Sequence, residues 1–349
     1  MSAIGAPLPA WRVRRGGGIA SLALGEGSPR RLDAHSVRVR VEAVALNHRD
    51  LLVADGRMGT GDFRVPCSDA AGEVVEVGDA VTRFRIGDRV MPMFFPDWID
   101  GAPQPPNVAQ ALGGNIDGVL QGELVVPAQA LVAVPPHLCP EEAATLPCAA
   151  LTAWHALFET GGLRAGQRVL VLGTGGVAIW ALQLAKAAGA HVTLVSSDDA
   201  KLARARSLGA DATVHYRQVP AWDDAVRRHH EGRGVDLVVE TGGSGTIARS
   251  IAATRLGGTI ALVGGVAGGF DVAVDAFALV GKRLAGVLVG SRAMAERLCD
   301  FVALARLRPA IDRVFAFEHA ADAFAHLATG RHVGKVVVLG PGMARARRR

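Results

Sequence analysis

Gly173, Gly175 and Ala178 fall into the pattern G-x-G-x-x-A directly behind the apolar run 169–172. That spacing can hold a phosphate. The first glycine permits a tight turn, the second lets an anion approach the backbone, and a small third residue lets helix and strand pack closely. Gly176 and Val177 then open a helix whose first N–H groups have no partner within it and can bind the charge. A second apolar run, 191–195, begins at the distance expected of the next strand, and Ser196-Ser197-Asp198-Asp199 ends it. Together these residues read as a dinucleotide site.

Other residues could act on a bound substrate. Asn47 and Asp50 form an N-x-x-D run behind the alternating segment 37–46. An Asn amide can donate to a carbonyl or to a cofactor ribose; Asn here can equally just shape the turn after a strand. Asp50 suits ordering of that loop better than exchanging a proton. His48 is either a proton relay or a solvent-facing imidazole, and Arg49 reads as solvated.

The elements that must position these groups divide the chain in two. From about residue 166 strand and helix alternate, with strands expected at 169–172, 191–195, 212–215, 235–239, 259–263 and 284–289. Helices fit 177–188, 200–208, 222–231 and 245–255. This is the pattern of a doubly wound parallel sheet, an α/β architecture. The first part is β-rich, with strands at 37–46, 72–77 and 89–93 punctuated by Gly78-Asp79 and Gly87-Asp88. Residues 96–118, rich in Pro and Gly, read as an exposed, mobile loop. A helix at 321–327 and a strand at 335–339 should return to the first domain. The expected boundaries are 1–148, 149–292 and 293–349.

Length and composition narrow the function. The chain has 349 residues, half of them hydrophobic and 20% charged, which fits a globular protein of two domains. The run 1–15 lacks a signal-peptide core, and no apolar stretch would span a bilayer, so a cytoplasmic protein with no membrane partner is expected. The four cysteines make no C-x-x-C pair, which fits reduced thiols. The net charge of +5 is dispersed except at the Arg-rich tail 345–349, which reads as a solvated terminus. No basic patch interleaved with aromatics points to nucleic acid.

Several runs, in order and spacing, resemble the medium-chain dehydrogenase/reductase superfamily. They are Ala45-Leu46-Asn47-His48-Arg49-Asp50, Ala71-Gly72-Glu73-Val74-Val75, the F-x-x-G-D-R-V run 84–90, Ala143-Ala144-Thr145-Leu146-Pro147, the Gly173 turn and Leu208-Gly209-Ala210-Asp211. The resemblance implies a GroES-like catalytic domain interrupted by a Rossmann domain, with the active site in the cleft between. It also implies a homodimer or tetramer. The zinc-dependent branch carries a Cys near position 47 and a His in a G-H-E run. Here Asn47 stands at the first, Ser68-Asp69-Ala70 at the second, and Cys148, four residues before Thr152, where a third ligand would sit. An amide, a carboxylate and one thiol are a poor set for catalytic zinc. Loop 96–118 lacks the cysteines of a structural zinc lobe. The resemblance therefore implies the zinc-independent, quinone-oxidoreductase-like or alcohol dehydrogenase-like side of the superfamily.

For the cofactor, a carboxylate at the end of the second strand would mark NAD. Ser196 and Ser197 stand there, with Lys201 close behind, and small hydroxyls with a cation suit a 2′-phosphate. Asp198 and Asp199 are read as capping the next helix. Tyr216, the chain's one tyrosine, matches in relatives a residue beside the adenosine phosphate. NADP(H) is thus expected over NAD(H). By resemblance, Thr152 and Gly264-Gly265-Val266 lie near the nicotinamide, and Ser291 and Lys335 near the cofactor. The other reading of Lys335 is a residue that simply precedes a strand in solvent. Phe94, Phe95 and Trp98 suggest a partly apolar substrate pocket. The expected reaction is hydride transfer to an activated alkene or quinone, with the developing oxyanion held by fixed donors. The alternatives are an NAD(P)-dependent alcohol dehydrogenase and a non-catalytic nucleotide-binding protein.

Overall fold

The computed structural model describes residues 8–27, 31–266, 271, 273–341 and 343; the tail 345–349 lies outside them. The chain forms two compact units. One is Ala150–Val289. The other joins Met1–Ala149 to Gly290–Arg349.

In the unit Ala150–Val289, six strands form one parallel sheet. Across it they run Ala212–His215, His191–Ser196, Arg168–Leu172, Val235–Glu240, Thr254–Leu262 and Arg283–Gly286. In chain order this is 3-2-1-4-5-6, the doubly wound arrangement. The switch point therefore lies at the carboxyl end of Arg168–Leu172, where the Gly173 turn begins. That strand is central, and Val169, Leu170 and Val171 are fully buried. Central position explains why it reads as an unbroken apolar run rather than an alternating one. Helix Gly176–Ala187 follows and buries Ala178, Ile179, Trp180, Ala181, Leu182, Leu184 and Ala185. It stops where Gly189 takes φ +80°, a backbone that residues with a Cβ avoid.

The α/β doubly wound sheet and the β-rich partner unit are the fold classes expected, with shifted ends. The expected helix 245–255 is a short turn, Gly243–Gly245, followed by helix Ile247–Ala253. The next strand begins at Thr254 rather than 259, because its pairing with Val235–Glu240 tolerates a bulge between Val235 and Leu237. The last strand ends at Gly286 rather than 289.

The other unit is built on a seven-stranded sheet. Strand Ser36–Ala45 lies at its centre. It pairs antiparallel with Asp69–Val77, Glu123–Pro127 and Lys335–Leu339. Ala45 lies between Asp69 on one neighbour and Val337 on the other. This register brings the start of Lys335–Leu339, the start of Asp69–Val77 and the residues after Ala45 to one end of the sheet. The core beneath includes Val39, Val41, Val74, Leu120, Phe317 and Phe324. Trp11 fixes a distant return of the chain by donating its indole N–H to the Phe317 carbonyl at 2.9 Å.

One buried base in the parallel-sheet unit predicts a pH effect. His230 is 3% exposed and shares a 3.0 Å hydrogen bond between Nε2 and Thr193 Oγ1. Burial first, then the charge effects of His191 and of the Arg168 guanidinium, hold its pKa down to about 4 from 6.5. The unfolded chain then binds the extra proton between these values and the folded chain does not. Its contribution to stability is complete above pH 6.5 and is lost as the pH falls towards 4. Thermal melts should show a midpoint that drops across this window, and His230→Gln should flatten that part of the profile. Parallel profiles for the two proteins would refute the assignment.

Candidate active site

Asn47 is the N-cap of helix His48–Ala54, with extended backbone at φ −124° and ψ 155°. Its backbone N–H donates to Asp50 Oδ2 at 2.7 Å. Asp50 is 1% exposed, and burial raises its pKa against the opposing charge of Arg49 at 3.7 Å. Asp50 thus holds the turn, as its spacing suggested. His48 is exposed. Arg49 is not solvated as expected. Its guanidinium donates to the Leu112 carbonyl at 2.6 Å and lies 4.3 Å from the Phe94 ring centre. The aromatics of the neighbouring loop are likewise core anchors rather than pocket walls. Phe94 and Phe95 are each 6% exposed, and Trp98 is fully buried with its indole N–H on the Gly101 carbonyl at 3.0 Å. Loop 96–118 is exposed only between such anchors, with Leu112 buried at its far end.

Lys335 corrects the solvent-facing alternative. It is 3% exposed. Its ammonium donates to the Leu46 carbonyl at 2.7 Å and to Asn47 Oδ1 at 2.6 Å, and stands 3.7 Å from Asp69 Oδ2. Asp69 is fully buried and accepts from Ser68 Oγ at 2.6 Å and from the Cys148 backbone N–H at 3.2 Å. Removing either charge alone would leave the other buried and unpaired, a cost of about 3–5 kcal/mol. On the other side of the amide, Asn47 Nδ2 is buried with no hydrogen-bond partner among the described residues. An orphaned buried donor costs about 1–3 kcal/mol, so this group has a use for an acceptor.

The same residues test the fit of a zinc ion. Cys67 adopts φ +70°, a backbone that suits glycine. Ser68 and Asp69 follow it, so no histidine stands in this run. The Asn47 oxygen is already bound by an ammonium group, and so is one side of Asp69. Burial pushes the Cys148 thiol up to about 12, whereas zinc binds thiolate. Among the described residues no group of three His, Cys, Asp or Glu side chains could hold a metal. This donor set does not fit catalytic zinc.

Of the residues expected to bind a dinucleotide, all but Ser291 and Lys335 lie in the parallel-sheet unit. Gly173 takes φ +81°, so the turn at the strand end requires glycine. Gly175 is the N-cap of the helix, and a Cβ built there meets no atom within 4 Å. The helix N-terminus, with Gly176 and Val177 in its first turn, therefore faces open space that a phosphate can enter. Ser196 is 4% exposed, and its carbonyl accepts the Tyr216 N–H at 3.0 Å. Parallel pairing of Ser196 with His215 brings Ser197 and the 41%-exposed Tyr216 to the same sheet end. Asp198 caps helix Asp199–Ser207 by accepting the Lys201 backbone N–H at 3.0 Å. This cap sets Lys201 in the first turn of that helix. Gly264 and Gly265 follow strand Thr254–Leu262, and Val266 is 64% exposed. Thr152 is 4% exposed in helix Leu151–Trp154. Ser291 is fully buried, and its hydroxyl caps helix Arg292–Leu304 by accepting the Met294 N–H.

Sequence reading missed Glu240 and Thr241. Glu240 is fully buried and accepts from the Gly242 and Gly243 N–H groups and from the Thr246 and Ser250 hydroxyls. Thr241 Oγ1 donates to the Leu172 carbonyl at 2.9 Å, tying two strand ends together beside Gly173. A carboxylate closing the apolar run Val235–Glu240 was the available signal.

Comparison with known proteins agrees with this architecture. A family model described as alcohol dehydrogenase GroES-like domain matches residues 33–136, and one described as zinc-binding dehydrogenase matches 176–304. A zinc-type alcohol dehydrogenase-like protein of Schizosaccharomyces pombe is 38% identical over 320 residues, which is 89% of this chain and 92% of that protein. A solved NAD-dependent alcohol dehydrogenase is 32% identical with a TM-score of 0.86, covering 95% of this chain and 99% of its own. The solved 2-octenoyl-CoA carboxylase reductase CinF, in complex with NADP and 2-octenoyl-CoA, is 27% identical with a TM-score of 0.84, covering 99% and 92%. Identity over nearly the full length, with both domain models in order, makes the chain a member of the medium-chain dehydrogenase/reductase superfamily, in its zinc-type alcohol dehydrogenase-like branch of nicotinamide-dependent oxidoreductases.

Proposed function

We propose that this oxidoreductase is an NADPH-dependent, metal-free reductase of activated alkenes or quinones. The observation that carries the reading is the buried, unpartnered Asn47 Nδ2 beside a fixed cation. Bound reduced nicotinamide supplies a hydride to the far carbon of an enone or to a quinone. Negative charge then grows on the substrate oxygen, and Asn47 Nδ2 donates to it without having to reorient. Tyr216 is the chain's only tyrosine and is placed with Ser196, so the α-carbon takes its proton from water. Gly173, Gly175, Gly176 and Val177 hold the pyrophosphate in this reading. Thr152 and Gly264–Val266 serve the nicotinamide, and Ser291 contributes only its backbone.

Preference for NADPH rests on Ser196, Ser197, Lys201 and Tyr216 gathered at one sheet end with no free carboxylate at the strand terminus. Asp198 is committed to its cap, and the backbone hydrogen bond from Lys201 lowers its pKa. The reading includes a cytoplasmic homodimer; a monomeric mass in sedimentation would count against the dimer. The test is purified protein with NADPH or NADH and a panel of enones, quinones, aldehydes and alcohols, followed by nicotinamide absorbance. Turnover of enones or quinones with at least about tenfold better kcat/KM for NADPH is the expected result. The second reading, an alcohol dehydrogenase, draws on the names of the relatives. Stoichiometric zinc by elemental analysis with alcohol turnover would establish it instead. Tight cofactor binding with no turnover across the panel would point to a nucleotide-binding protein.

A further inference from the structure

We propose that Lys335 is the positioning residue of the active site, a built-in cation set against Asn47 and Asp69 and fixing which way the Asn47 amide points. The inference rests on the reading of Asn47 as a hydrogen-bond donor. An ammonium group has three donors and no acceptor. Two of them are used, on the Leu46 carbonyl at 2.7 Å and on Asn47 Oδ1 at 2.6 Å. The ammonium also stands 3.7 Å from Asp69 Oδ2. Turning the Asn47 amide over would set its NH₂ against the ammonium, donor against donor. The carboxamide oxygen must therefore face Lys335, and Nδ2 must face away, where it has no partner among the described residues.

The rest of the cluster holds the ammonium still. Asp69 balances its charge and is itself fixed by Ser68 Oγ and by the Cys148 backbone N–H. Sheet register sets the approach, since Val337 pairs with Ala45 two residues before Asn47. Lys335 thus acts on the substrate through Asn47 and not by contact. A zinc ion would supply a positive charge at a substrate oxygen directly. Here the charge is spent on orienting a neutral donor.

A positioning role and a merely structural one separate in a pair of variants. Lys335→Met leaves Asp69 buried without its counter-charge, so thermal stability should fall. Lys335→Met with Asp69→Asn removes both charges and should regain most of that stability. If Lys335 only stabilises the fold, kcat returns with the melting midpoint. If Lys335 positions Asn47, the double variant melts near the wild type, keeps its affinity for NADPH, and loses roughly tenfold or more in kcat, because a freely turning amide presents the wrong atom much of the time. Recovery of kcat in the double variant overturns the proposal, as does an unchanged kcat in a folded Lys335→Met. A second measurement does not depend on the substrate. The side-chain amide resonances of Asn47 should be a single, slowly exchanging pair in the wild type and should shift and broaden in the double variant. Unchanged resonances overturn the proposal whether or not enones are substrates. A wild type inactive on enones and quinones, with the resonance change present, sinks the reductase reading alone.

Discussion

Gly175→Asp should weaken nicotinamide cofactor binding by about 100-fold or more while leaving the protein as stable as before, or slightly more so. Two observations set these effects apart. Gly175 has φ −70° and ψ −176°, a backbone open to any residue, and a Cβ there meets nothing within 4 Å. No strain follows from the substitution. The position is also the N-cap of a twelve-residue helix with no side-chain cap of its own. Aspartate is among the best N-caps, and its charge suits the positive end of the helix dipole, together worth about 0.5–2 kcal/mol. The same carboxylate would fill the cradle and occupy the N–H groups that a pyrophosphate needs. Fluorescence titration should show the Kd for NADPH rise by about 100-fold or more, near 3 kcal/mol. Thermal melting should show an unchanged or higher midpoint. A Kd close to the wild-type value would mean that the cofactor phosphates lie elsewhere. Gly173 is no substitute for this test, because φ +81° makes any side chain there strained and confounds stability with binding.

The contrast between these two glycines shows what the chain reveals on its own. The turn, the strands flanking it and the doubly wound parallel sheet were legible because a buried parallel sheet writes each strand as a short apolar run and each crossover as a helix period. Asp198 could be read as a cap because capping is local, a matter of three residues. Lys335 could not be placed in this way. Its strand was evident, but the partner of its ammonium is 288 residues away and depends on the register of an antiparallel pair. A lysine heading a strand is ordinarily exposed, and only burial of both neighbours turns it inward. Arg49 and the aromatics near it failed for the same reason. Phe94 and Trp98 read as pocket walls because their types suit a pocket, and nothing local shows that an arginine and a backbone carbonyl already occupy them. The strand that starts at Thr254 was read late because Gly257 and Gly258 resemble a turn, while pairing with Val235–Glu240 carries the strand through them. Local patterns report elements; contacts between distant elements decide what a polar side chain does.

Asn47→Asp separates the donor from everything else that Asn47 does. The new side chain has the same shape and keeps an oxygen for Lys335 Nζ at the 2.6 Å position. The backbone N–H still meets Asp50 Oδ2, so the turn and the helix start are retained. What is lost is the NH₂ group that points away from the cluster without a partner among the described residues. In its place stands an acceptor, and a negative one, facing the oxygen on which charge grows during hydride transfer. Removing a single oxyanion donor typically costs about 10²–10³ in kcat, and the added repulsion places the expectation at the upper end of that range. The KM for NADPH should move little, because the residues proposed for the phosphates and the adenosine belong to the other unit. Protonating the new carboxyl restores a donor, so kcat of the variant should climb as the pH is lowered, while the wild type shows no such rise. Steady-state kinetics over a pH series reads both features at once. A variant within about threefold of the wild-type kcat would show that Asn47 donates nothing in the transition state, and that its unpaired amide is only the cost of forming the turn.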